Sequence, residues 1–274
     1  MWQFDFDIYY GGALALAQGL SPYSVSGWYH PLPMALVFLP FVLLPKPLAY
    51  GLYLGVCAGL VWRVLKWKSI WVLASFPGFY TLFVGQVDLP LALVTSLAGH
   101  WALPLLTSRP HLAFVVAPYL ISTTPPKELA KSALASAGVL LACFMLRPGW
   151  VQEWIAASAQ PLAAYGRHDS NLYWLLPQRP SFVLVAAISL LALALGWRLR
   201  DRRASWTVAH LLAPVTNVYS AAALAEWFGP LETALSWAAI FAVGGDTHSG
   251  APMFIVGLAI LARNLWRKIQ SPGE

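Results

Sequence analysis

The stretch SFVLVAAISLLALALGW, residues 181–197, holds no charged side chain and runs directly into Arg198, followed by Arg200, Arg202 and Arg203. An uncharged apolar run of this kind reads as a helix in hydrocarbon, where every backbone N–H must find its carbonyl inside the segment. The arginines behind it mark the cytoplasmic side. Similar runs fall at about 32–44, 47–62, 70–84, 88–106, 112–122, 132–146, 205–225, 231–245 and 252–266.

Composition agrees with that reading. Of the 274 residues 59% are hydrophobic and 10% charged, where soluble chains carry about 25% charged residues. The 14 tryptophans suit a bilayer protein whose indoles sit at headgroup depth. The net charge of +6 is spread in short clusters between apolar runs, not along one face. Nucleic acid is therefore not an expected partner. Cys57 and Cys143 lie inside apolar runs without metal-ligand spacing and read as small buried hydrophobes. The first ten residues carry two aspartates where a signal peptide needs a basic stretch.

The expected fold is thus all-α: a polytopic transmembrane bundle of about 8–10 segments, some short or re-entrant, forming one domain over 1–274. The run 32–44 reaches only about 20 Å of a core about 30 Å thick, and it is punctuated by Pro31, Pro33, Pro40 and Pro45. A broken or re-entrant segment is expected there.

Four basic clusters set the orientation: Arg63, Lys66 and Lys68; Lys127 and Lys131; Arg198 to Arg203; and Arg263, Arg267 and Lys268. All four belong on the cytoplasmic side. Gly85-Gln86-Val87-Asp88, the segment 147–180, the loop Asp246 to Gly250 and the acidic N-terminus then fall outside. Three runs follow Arg203 where an even number of crossings is needed. Either one is re-entrant or 205–225 is a hairpin at Pro214. Two outer pieces, 1–31 and 147–180, are long enough to hold interfacial helices, expected near Gly12 to Gln18 and from Trp150 onward.

Carboxylates are scarce, so each one at the surface is informative. Asp5 and Asp7, within Phe4-Asp5-Phe6-Asp7-Ile8-Tyr9-Tyr10, are either a solvated tail or catalytic candidates, one of them facing a cleft as a general base. Gly85 allows a turn, and Gln86 offers an amide suited to sugar hydroxyls. Asp88 reads as the N-cap of the next helix or as part of a substrate site. Arg109, between two apolar runs beside Pro110 and His111, needs a partner or a task, and binding a lipid phosphate is one such task. Arg167, His168 and Asp169 form either a solvated turn or part of the same cleft. No zinc, P-loop, dinucleotide or serine-nucleophile fingerprint occurs.

Several of these pieces resemble one family in their order. Asp5-Phe6-Asp7-Ile8-Tyr9-Tyr10, Gly19-Leu20-Ser21-Pro22-Tyr23, Tyr29-His30-Pro31-Leu32 and Leu39-Pro40-Phe41-Val42-Leu43-Leu44-Pro45 resemble the N-terminal signature of glycosyltransferase family 87. Members are GT-C-type membrane enzymes using polyprenyl-phosphate-linked sugars, typically mannose. Gly85-Gln86 resembles that family's Gly-Gln element, Arg109-Pro110 its Lys-Pro, and Ala213-Pro214 a later Ser-Pro. His30 stands where a proline is usual, and Thr216 follows Pro214 where His or Ser is typical. Family members usually carry a transmembrane helix before the acidic motif; here either an upstream segment or a partner chain would supply it, or this is a reduced form whose N-terminus is held differently.

The resemblance implies an inverting hexosyl- or pentosyltransferase in the cell membrane with its site facing outside. It needs no cofactor or metal. A polyprenyl-phosphate sugar is the donor, and a glycan or glycolipid hydroxyl is the acceptor. It implies Asp5 as the base, with Asp7 as fallback. Gln86 would hold sugar hydroxyls, and Arg109 with His30 or His111 would bind phosphate. Tyr9, Tyr10, Tyr29, Asp88, Arg167 and His168 complete the expected substrate-binding set. Two rival readings use the same features: a lipid or glycolipid transporter, and an inactive assembly subunit.

Overall fold

The computed structural model describes residues 4–165, 182–213, 218–245 and 251–270. Every regular element among them is helical. The chain runs α1 (Asp5–Ala17), α2 (Leu32–Phe38), α3 (Lys46–Leu65), α4 (Ser69–Ala74), α5 (Phe76–Val84), α6 (Asp88–Ala98), α7 (Leu103–Leu106), α8 (Pro110–Thr123), α9 (Pro126–Leu146), α10 (Trp150–Tyr165), α11 (Phe182–Arg198), α12 (Arg202–Leu212), α13 (Pro230–Ala242) and α14 (Ala251–Gln270). Tighter 3-10 segments join several of them, the longest being Val218–Trp227.

Proline and glycine set the breaks. The run at 32–44 splits into α2 and a 3-10 turn, Leu39–Leu43, with Pro40 at its start. The expected interruption is therefore present. At 69–84 the chain breaks at Ser75, whose hydroxyl caps α5 by accepting from the Gly78 amide, with Pro77 in the first turn. The stretch 88–106 bends at Gly99 (φ +57°), which ends α6. Asp201 caps α12 by accepting from the Ala204 amide at 2.6 Å.

Among the described residues, three helical stretches, Lys46–Ala74, Asp88–Leu106 and Pro126–Leu146, are long and apolar enough to cross a membrane, and three shorter apolar helices accompany them. Their exteriors are greasy. α3 buries Ala49, Tyr53, Cys57, Val61 and Leu65, a stripe at every fourth residue, and exposes Leu48, Leu52, Val56 and Trp62. α9 buries only Ser132 and Cys143 and exposes Leu134, Leu141, Phe144 and Met145. Apolar surface of that extent is stable against lipid, not water.

α3 also measures the molecule. Its first residue, Lys46, pairs with Asp7 of α1 at 3.3 Å, and its last turn leads into Lys66 and Lys68. Twenty residues of helix span about 30 Å, the thickness of a hydrocarbon core. At the Lys46 end lie α1, the Gly85–Val87 turn and α10, whose Trp154 indole donates to the Tyr29 carbonyl and whose Glu153 accepts from Ser21. At the other end Lys68, Arg203, Arg263 and Arg267 surround one cavity, and Arg200 reaches the Ser122 carbonyl. Three of the four basic clusters expected on one side thus have residues at one end of the bundle. The segments expected opposite, 1–31 and the start of 147–180, share the other.

The structure corrects one local expectation. The N-terminal helix begins at Asp5, not near Gly12, because Phe6, Tyr9 and Ala13 already form a buried stripe. Gly12 is its point of closest approach to Trp28, where an added Cβ would lie 2.1 Å from the indole. The alternative hairpin at Pro214 lies outside the described residues, which show α12 before it and the Val218–Trp227 segment, buried from Ser220 to Ala225, after it.

Candidate functional site

The site is built on the turn between α5 and α6. Gly85 ends α5 in the left-handed region (φ +75°), and the Gly85 and Gln86 amides close back on the Leu82 and Thr81 carbonyls. An added Cβ at Gly85 would lie 2.6 Å from the Phe6 Cβ, so glycine serves both the turn and the docking of α1. That close approach brings Asp5, at the start of α1, over the Gln86 side chain.

Gln86 is 2% exposed and joins the two sides of the site. Its amide nitrogen donates to Asp5 Oδ2 at 2.6 Å. Its carbonyl oxygen accepts from Tyr9 Oη at 2.7 Å and from Arg109 Nη2. The neighbours fix this orientation, because a flipped amide would set its N–H groups against a guanidinium that only donates. Tyr53 of α3 holds the Gln86 backbone carbonyl from below.

Arg109, 4% exposed at the head of α8, donates through Nε to Asp88 Oδ1 at 2.6 Å. Asp88 is fully buried, and its Oδ2 meets His111 Nε2 and Ser220 Oγ, each at 3.2 Å. Burying two charges costs several kcal/mol per ion, of order, and is tolerable only because each remaining lone pair is answered. Asp88 is therefore not the N-cap that its position before Leu89-Pro90 suggests. Val87 occupies that position, and the Asp88 carboxylate is turned inward to Arg109.

Arg109 Nη1 lies 3.0 Å from His30 Nδ1. A guanidinium has no acceptor, so Nδ1 must accept and the ring proton sits on Nε2. Burial, and then the charge of Arg109, hold His30 well below the ordinary histidine range, keeping it neutral. His30 thereby offers a single N–H donor from Nε2.

Asp5 differs from Asp88. It is half-buried, and Oδ1 receives no hydrogen bond among the described residues. Burial raises its pKa above the usual carboxylate value, against the Gln86 hydrogen bond and the Arg109 charge. A carboxylate with one oxygen fixed, the other open and a raised proton affinity is suited to general-base chemistry.

The other expected residues take different places. Asp7, two residues along α1 and so turned about 200° from Asp5, pairs with Lys46 instead. Tyr10 donates to the Leu44 carbonyl. Tyr29 contributes its backbone carbonyl to Trp154 and Ser158, with its ring exposed. His111 belongs to the network through Asp88. Arg109 stands at its centre, bonded to Asp88, Gln86 and His30. Arg167, His168 and Asp169 lie outside the described residues.

Ser220 and Tyr53 hold the network and had no signal in the sequence. One is a lone hydroxyl before an alanine run, the other an aromatic residue on an apolar helix. No known family, curated protein or solved structure matches the chain.

Proposed function

We propose that the chain is a membrane glycosyltransferase that moves a sugar, mannose or another hexose or pentose, from a polyprenyl-phosphate donor to an acceptor hydroxyl at the outer leaflet. The single supporting observation is Asp5: Oδ2 is anchored by Gln86, and Oδ1 receives no hydrogen bond among the described residues. In this reading Asp5 takes the acceptor's proton as the new C1–O bond forms on the face opposite the departing phosphate. The C1–O bond to phosphate breaks, polyprenyl phosphate leaves and the anomeric configuration inverts.

The other residues then have distinct tasks. Arg109 is a positioning residue: it fixes the Gln86 amide and the His30 tautomer. His30 Nε2–H is the donor to the leaving phosphate, a neutral stabiliser aimed at developing charge. Asp88, His111 and Ser220 keep Arg109 in place. Embedding suits the donor, since a polyprenyl tail stays in the bilayer.

The test uses purified protein in liposomes with a radiolabelled polyprenyl-phosphate sugar and a glycolipid acceptor. A glycosidic product of inverted configuration is expected. Movement of intact donor across the bilayer without any glycosidic product would select the transporter reading, for which broken helices are equally apt.

A further inference from the structure

The basic end of the bundle encloses a cavity of about 230 Å³ between the start of α4, the head of α12, the end of the Val218–Trp227 segment and the last turns of α14. Lys68, Arg203, Arg263 and Arg267 line it, with Glu226 as the one carboxylate among the lining residues. Glu226 pairs with Arg202 through Oε2, while its Oε1, like Oε1 of Glu232, is buried with no hydrogen-bond partner among the described residues; Arg202 is itself held over the Trp206 and Trp227 rings at 5.3 and 5.9 Å. Glu232, behind the cavity, pairs with Arg263 at 2.9 Å and accepts from the Gly229 amide.

The cations left over are incompletely satisfied. Nε and Nη2 of Arg203 are buried and have no hydrogen-bond partner among the described residues, and the same is true of Arg263 Nε. Arg203 also faces the like charges of Arg263 and Arg267, which outweigh the opposite charges of Glu232 and Asp201. A guanidinium buried without an acceptor and held beside two others is costly. It becomes favourable once a multiply charged oxyanion sits among them, since each N–H then makes a charge-assisted hydrogen bond. Arg267 is exposed and has no partner among the described residues, which leaves it available at the rim. Trp71 and Trp227 wall the cavity with apolar surface, the surroundings a phosphate on an organic stem would meet.

We propose that this cavity is a phosphate-binding site at the basic end of the bundle, distinct from the Asp5 network across the length of α3. It takes either the phosphate of an anionic lipid headgroup or a free phosphate. The site makes the basic clusters more than topology determinants: three of the four converge on one anion.

The experiment follows the unfolding temperature of the purified full chain in phosphatidylcholine nanodiscs. One arm adds inorganic phosphate at fixed ionic strength, and the other dopes the nanodiscs with phosphatidylglycerol. Saturable stabilisation by inorganic phosphate supports the site with a free anion. Stabilisation by phosphatidylglycerol alone supports it with a lipid headgroup. In either case Arg203→Gln and Arg267→Gln should raise the half-saturating concentration about tenfold or more, the loss expected for a hydrogen bond to a charged group. Arg267→Gln removes no internal contact among the described residues, so it reports on the site even if Arg203→Gln unfolds. The proposal is overturned if neither probe stabilises the wild type, if chloride at equal ionic strength does as well, or if the folded variants respond as the wild type does.

Discussion

The side-chain amide of Gln86 donates to Oδ2 of Asp5 at 2.6 Å across 81 positions of sequence. That contact exists because Gly85 lets α1 approach the α5–α6 turn to within touching distance of Phe6. It fixes one oxygen of the carboxylate, while the other has no hydrogen bond among the described residues.

Gly85→Ala tests the approach itself. The left-handed conformation costs an alanine about 1–2 kcal/mol, and the clash with Phe6 adds about 1–3 kcal/mol of overpacking. Unfolding in detergent should show a loss of that combined order. Proteolysis should show the N-terminal helix released before the rest of the bundle.

Arg109→Met leaves Asp88 charged and buried without its main partner. A loss of about 3–5 kcal/mol is expected, measured by thermal or denaturant unfolding. Arg109→Lys should fall between the two, because an ammonium cannot reach Asp88, Gln86 and His30 from one planar fork. Equal stability of all three forms would remove the pair from the structural account.

Asp7→Asn disrupts only the Lys46 pair, in which both side chains are substantially exposed. Such pairs contribute about 0–1 kcal/mol, so unfolding should barely change. Sugar transfer should persist, since Asp7 points away from Gln86.

The pH dependence follows from the sign of the Asp5 shift. Burial raises its folded-state pKa above the ordinary carboxylate value, so the proton is held more tightly in the folded protein. The associated stability is present in full below the unfolded value and is lost as pH rises through the folded one. The reactive form is the carboxylate, so the acidic limb of the rate profile should lie above the usual carboxylate range. Because Arg109 lowers the Asp5 pKa, a folded Arg109→Lys or Arg109→Met variant with weaker coupling should move that limb higher still.

Much of the helical plan was legible because proline, glycine and capping side chains act locally. Pro40 breaks the 32–44 run as expected, whereas Ser75 with Pro77 and Gly99 break 70–84 and 88–106, which read as single apolar runs in the sequence. Asp5, Gln86 and Arg109 were legible as isolated polar groups in an apolar chain, since such groups need partners and there are few to choose from. Asp88 was misread for the same local reason that made the breaks readable. An aspartate before Leu-Pro has the pattern of an N-cap, and only the tertiary position of Arg109 outweighs that preference. The divergence of Asp5 from Asp7 depended on α1 starting four residues into the chain, which the acidic, aromatic composition does not signal. Ser220 and Tyr53 entered through long-range packing, which no spacing rule anticipates.

The most direct measurement is the rate of sugar transfer from a polyprenyl-phosphate donor by Asp5→Asn in reconstituted liposomes, alongside Asp7→Asn. Asparagine keeps the size of the side chain and an acceptor oxygen for Gln86 but cannot take the proton. The account predicts that transfer falls by at least the factor of about 10²–10⁴ typical of a lost general base, with folding intact and Asp7→Asn active. Wild-type rates from a folded Asp5→Asn protein would contradict it.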